Sequence, residues 1–219
     1  MASKSFQGQV REYSQAVHGY RSGIPDDLAK AGDMAGRHVT ETGATPARDT
    51  VLTSGQRLFT FVEFGPLPVI SLRHSGTFRT LARTWRNLID YTDSCGLTQG
   101  IQLVGVVYDD PAYVPAESLR YDACVAVPEA GLRRLPLPAD SGLPVRYETL
   151  GPVWCWRTTH RGRFGTLSET YRRALDTTAF QQQGVVAPCL NPPFYEIYRS
   201  GLGAAQDDDA RIDIHLPVG

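Results

Sequence analysis

The chain has 219 residues, of which 42% are hydrophobic, and its 22 Lys and Arg against 23 Asp and Glu leave a formal net charge of -1. That length supports one buried core without metal or disulfide help. No segment concentrates basic residues as a nucleic-acid footprint does, and no apolar run reaches the roughly 18 residues of a membrane span, so direct nucleic-acid binding and membrane insertion are not expected.

The N-terminus MASKSFQGQVREYS has no apolar stretch of signal-peptide type, and a cytoplasmic protein is expected. Residues 1–56 are rich in Gly, Ser, Thr and charged residues. Gln7–Tyr20 and Pro25–Ala35 are short helix candidates without a long apolar stripe. A loosely packed or partly disordered extension is expected over 1–56, with one domain over 57–219.

From Leu58 the pattern sharpens. RLFTFVEFG and LPVISLRHSG have strand composition and are broken by Gly65-Pro66. After Gly76 the period changes. Phe78, Leu81, Ala82, Trp85, Leu88 and Ile89 fall on one helical face, predicting an amphipathic helix over about 77–94 that Gly96 stops. IQLVGVVYDD is a compact apolar strand ended by the turn-forming run Asp109-Asp110-Pro111, and RYDACVAVP alternates as the next strand. LRRLPLPADSGLP is a connection that leaves a short edge strand open.

A second cycle follows. VRYETLGPVWCWRTTHRG precedes a helix face of Phe164, Leu167, Tyr171, Ala174 and Leu175, with the strands PFYEIYR and RIDIHLPV behind it. HSGTFRTLARTWRNLID at His74 aligns with HRGRFGTLSETYRRALD at His160 at a constant offset of 86 residues. The chain is an internal repeat of strand–helix–strand–strand units, with halves at about 57–130 and 143–218. Each is too small to bury its sheet and helix alone. An α+β domain is expected in which the halves pair about a pseudo-twofold axis, with a ligand groove between them.

Candidate chemistry centres on Glu196. Strand alternation places Phe194, Glu196 and Tyr198 on one face, so an inward-facing carboxylate would need a shifted pKa or a partner, either a cationic ligand or a neutral electrophile that needs a proton donor or activated water. The competing reading is a solvated face or a pair with Arg120 or Arg199. The aromatic candidates are Trp154 and Trp156 on one strand face, Trp85 and Tyr171 at matched helix positions, and Tyr108 and Tyr121 at strand ends. His74 and His160 occupy equivalent strand-to-helix junctions with no nucleophile motif beside them, which predicts that each bonds a loop carbonyl. The four cysteines lack paired CxxC spacing and are expected to be buried thiols, so no metal is expected. No phosphate-loop or dinucleotide glycine pattern is present, and no cofactor is expected.

The order and spacing of LPVISLRHSGTF, GVVYDDP, RYDACVAVP, THRGRFGTLSETY, PPFYEIYR and DIHLPV resemble the gyrase-inhibitor-like (GyrI-like) small-molecule-binding domain over about residues 58–218. That domain is also the effector-binding half of AraC-type and MerR-type multidrug regulators. The resemblance implies a tandem of SHS2-type units around a central pocket for aromatic or cationic drug-like compounds. The family's pocket glutamate carries over to Glu196, and the expected wall comprises Trp85, Tyr108, Trp154, Trp156, Tyr171 and Phe194.

It implies binding, for sensing or sequestration, either alone or with a protein partner that reads the output. The alternatives are a hydrolase that opens the cyclopropane ring of DNA-alkylating natural products, with Glu196 activating water beside Tyr108 or Tyr171, and a gyrase-inhibitor-like protein interaction.

Overall fold

Nine antiparallel strands form one sheet, and the computed structural model describes it through residues 45–54, 57–97, 101–111, 113–128, 142–190, 192–200 and 210–218. The helix candidates at Gln7–Tyr20 and Pro25–Ala35, most of LRRLPLPADSGLP and the acidic run Asp207–Asp209 lie outside these residues.

The first half contributes β1 (Val51–Ser54), β2 (Arg57–Phe64), β3 (Leu67–Ser75), α1 (Leu81–Ser94), β4 (Gln102–Val107) and β5 (Arg120–Ala126). The second contributes β6 (Val145–Leu150), β7 (Val153–Gly162), α2 (Leu167–Ala174), α3 (Thr178–Gln182), β8 (Phe194–Tyr198) and β9 (Ala210–Pro217). The α+β architecture expected from the repeat is present.

The expected extension boundary at residue 56 falls inside a strand pair. β1 pairs with β2, placing Val51 opposite Thr60 and Leu52 opposite Phe59, and Leu52 is buried. Four residues are too few for alternation to register as a strand in the sequence; the pairing with β2 holds them.

The sheet order is β1-β2-β7-β9-β8-β4-β5-β3-β6. Each half's leading strand is therefore given to the other half: β2 pairs with β7, and β6 pairs with β3. The consequence is curvature. β2 and β3 lie six strand spacings apart, about 29 Å in a flat sheet, yet the link Gly65-Pro66 reaches only about 11 Å. The sheet must curl until its ends meet.

They meet at Gly65 and Gly151, equivalent positions in the repeat. A Cβ at Gly65 would lie 2.4 Å from the Leu150 carbonyl oxygen, and one at Gly151 would lie 2.3 Å from that of Phe64. Their φ angles of +81° and +73° also call for glycine.

Two cores result. One lies between sheet and helices and holds Phe78, Leu81, Trp85, Leu88, Phe164, Leu167 and Phe180. The other fills the inside of the curl with Phe64, Val69, Val104, Val106, Cys124, Leu150, Cys155 and Ile197. Burial there pushes the Cys155 thiol up to about 12 and raises Cys124 well above its usual range, so both are inert protonated thiols.

The helix after Gly76 runs as a 3-10 turn at Phe78–Thr80 and then α1, close to the predicted span, and Gly96 ends it at φ +76°. Both junction histidines do the same work. His74 Nε2 donates to the Thr77 carbonyl at 3.1 Å and its Nδ1 accepts from the Thr84 hydroxyl at 2.9 Å. His160 repeats this with Arg163 at 3.0 Å and Thr170 at 2.8 Å. A carbonyl only accepts, which places a proton on Nε2 in each; burial lowers the pKa of His74.

Candidate functional site

β4 and β8 are the central strands of the sheet and pair antiparallel across the pseudo-twofold axis. Their pairing sets Gly105 directly opposite Glu196. The two are also repeat equivalents, each paired on its other side with matching residues of β5 and β9, Ala123 and Ile214. One half thus carries a carboxylate where the other has no side chain.

Glu196 faces the helices and is 1% exposed. The Tyr171 hydroxyl donates to Oε1 at 2.8 Å, and the Tyr198 hydroxyl donates to Oε2 at 2.6 Å. The Tyr121 hydroxyl stands 2.9 Å from that of Tyr198 and 3.4 Å from Oε2. These hydrogen bonds offset part of the cost of burying the carboxyl group. Neither Arg120 nor Arg199 is recruited to it: Arg120 pairs with Asp109 and Arg199 with Asp213.

The carboxylate borders a cavity of about 50 Å³. Phe194 and Glu196 of β8 and Val107 of β4 form its floor, with Leu167, Tyr171 and Leu175 on the α2 side and Phe78 from the other half. The turn Asp109-Asp110-Pro111 borders it. Asp109 is held by the backbone N–H and guanidinium of Arg120, whose hydrogen bonds keep its carboxyl below the usual range. The cavity has room for a few waters and is well below the 300 Å³ or so of a drug-sized pocket, so a larger guest requires the surrounding side chains to move.

Glu196, Tyr171 and Phe194 thus come together. The remaining candidates lie elsewhere. Trp85 is buried behind the tyrosines, edge-on to Tyr121 and Tyr198 at ring separations of 6.2 and 5.7 Å. Trp156 is buried, donates its indole N–H to the Val186 carbonyl at 2.8 Å, and packs on Phe61 and Phe180. Trp154 is 38% exposed and stacks on Phe61. None of the three borders the cavity.

Tyr108 lies on the opposite face of the sheet. Its hydroxyl donates to Asp122 Oδ2 at 2.8 Å and the Arg73 guanidinium covers its ring at 4.3 Å. Burial, then the Asp122 bond, raises its pKa.

Asp122 is the other fully buried carboxylate, and it faces the inside of the curl. Arg73, Arg146 and Tyr108 satisfy it. Its repeat equivalent Asp213 accepts from Thr159 at 2.7 Å and Arg199 at 2.8 Å; burial opposes ionisation there, and these bonds outweigh it. Paired arginines mark these as structural ion pairs, whereas the partners named for Glu196 are neutral phenols.

Sequence reasoning named Tyr121 only as an aromatic residue at a strand end and did not assign Tyr198 or Gly105 to the site. Two signals existed: Tyr198 shares the Glu196 face at i+2, and a lone glycine inside the apolar strand QLVGVV marks a close approach. Among the described residues no group of three or more His, Cys, Asp or Glu could hold a metal, and no helix is long and apolar enough to cross a membrane.

Residues 59–218 match the GyrI-like small molecule binding domain, while no curated protein matches the chain. Among solved structures, a conserved protein from Listeria innocua superposes with a TM-score of 0.57 at 14% identity, covering 74% of this chain and 92% of its own. The EcmrR C-terminal domain gives 0.53 at 14%, covering 75% and 98%, and a hydrolase from Listeria innocua gives 0.50 at 10%, covering 74% and 91%. At these identities the structures share the fold, and the sequence match covers most of the chain: it belongs to the GyrI-like small molecule binding domain family.

Proposed function

We propose that this protein binds small aromatic or cationic molecules between its two halves, with Glu196 as the charged contact and Phe78, Tyr171 and Phe194 as the wall. The observation that carries this reading is a carboxylate 1% exposed, at the floor of an otherwise mostly apolar cavity on the repeat axis. A buried charge with room beside it attracts an opposite charge far more strongly than a surface carboxylate does. The output is sensing or sequestration, and a protein partner that reads the bound state fits that role.

Titration calorimetry with a protonated aryl amine and a neutral molecule of the same shape tests it. Glu196→Gln weakens the amine ten- to hundredfold, about 1.4–2.8 kcal/mol, and the neutral compound much less. Equal losses for both would remove the charge contact from the proposal.

A hydrolytic reading has one supporting observation: Glu196 and Tyr171 form a 2.8 Å pair beside a cavity that accommodates water. Those two residues would serve as base and donor; Tyr108 is held by Asp122 on the far face. A hydrolase and the EcmrR C-terminal domain both share this fold, so the fold does not choose. Incubation with a cyclopropane-bearing alkylator and mass analysis for the addition of one water decides. Unchanged compound in the presence of demonstrated binding leaves the binder.

A further inference from the structure

The two oxygens of Glu196 have different surroundings. Oε1 receives Tyr171, which lines the cavity. Oε2 receives Tyr198, which does not. A phenol has one proton to give, and the 2.6 Å bond commits that of Tyr198 to the carboxylate. Tyr121 then donates to Tyr198 across 2.9 Å, forming an ordered chain of hydroxyls behind Glu196.

Gly105 makes this chain possible. A Cβ there would lie 2.0 Å from the Tyr121 hydroxyl oxygen and 2.7 Å from Cζ, so any side chain at this position displaces the ring. Tyr121 and Tyr198 are 0% and 3% exposed, and Trp85 packs edge-on to both.

We propose that Gly105, Tyr121 and Tyr198 are positioning residues that pin Oε2 and present Oε1 to the cavity, where Tyr171 is a resident donor that the ligand replaces. The site therefore selects a protonated amine with an N–H over a quaternary cation of the same shape. This inference rests on the reading of Glu196 as a cation-binding group. Displacing Tyr171 leaves a buried carboxylate oxygen without that bond unless the guest donates in its place. A quaternary nitrogen carries the charge but has no proton to donate.

Protonated benzyldimethylamine and benzyltrimethylammonium, titrated calorimetrically at neutral pH against the full chain, provide the test. The wild type binds the N–H probe about tenfold more tightly. Tyr198→Phe and Gly105→Ala reduce that ratio towards one. Tyr171→Phe tightens the N–H probe several-fold, where a tyrosine that helps hold the ligand would weaken it. Equal affinities in the wild type overturn the ligand class; an undiminished ratio in both Tyr198→Phe and Gly105→Ala overturns the positioning role.

Failure of both probes to bind overturns the ligand class together with the reading beneath it. The positioning role is then read in ligand-free protein from the 13C carboxyl resonance of Glu196, assigned by its loss in Glu196→Gln. That resonance shifts in Tyr198→Phe and in Gly105→Ala, and a resonance identical to wild type in both overturns the role. Tyr198→Phe keeps the ring and serves if Gly105→Ala does not fold.

Discussion

A buried titratable side chain is defined by what donates to it. Asp122 and Glu196 are both buried, but guanidinium groups donate to the first and phenols donate to the second. His215 is a third case. It is 5% exposed inside the curl beside Phe64, and its Nδ1 has no partner. Burial lowers its pKa to about 4. The unfolded chain, with an ordinary histidine near 6.5, takes up a proton first as pH falls, so stability is lost between about pH 6.5 and 4, by up to about 3 kcal/mol. His74, also lowered, adds in the same direction, while Asp109 and Asp213, both lowered, act below pH 4. Urea unfolding at pH 7 and pH 4.5 checks this: His215→Leu reduces the loss between the two by about 1–3 kcal/mol, and an unchanged loss refutes it. At this scale alternation exposed Glu196 and put Tyr198 on its face, but not the Tyr121 contact, because Tyr121 reaches the site from β5, two strands from β8 in the sheet.

Among the elements, the paired Gly-Pro links carry the most structural demand. Gly65 and Gly151 combine positive φ with backbone contacts under 2.5 Å at the missing Cβ, whereas Gly96, also at positive φ, has nothing within 4 Å. Gly96→Ala therefore costs only the conformational term, about 1–2 kcal/mol. Gly65→Ala and Gly151→Ala add a clash that no side-chain rotation relieves, and each is expected to cost about 3 kcal/mol or more, or to abolish folding. Denaturant midpoints of the three variants rank these costs; equal midpoints would mean that the strand ends separate freely. The helices were legible because their apolar spacing is local. The matched helix positions Trp85 and Tyr171 nevertheless diverge in use, one packing behind the site and the other lining it.

Across the whole molecule, β1 closes one end of the curled sheet and buries Leu52 near the Phe59–Phe180 contact. A chain starting at residue 57 is expected to lose about 2–4 kcal/mol relative to one starting at residue 45, through exposure of that core edge. Thermal unfolding of the two distinguishes them, and equal midpoints would show β1 to be dispensable. The sequence alone determined the duplicated α+β unit, both helix faces and the histidine junctions, because periodicity and the 86-residue offset are read along the chain itself. Only the tertiary structure decided the exchange of leading strands, the curl and the face on which each aromatic residue ended. Those depend on which strands pair, and a two-residue link in the sequence carries no mark of the distant edge it joins. The same pairing set Gly105 across from Glu196 and so fixed where the hydroxyls gather.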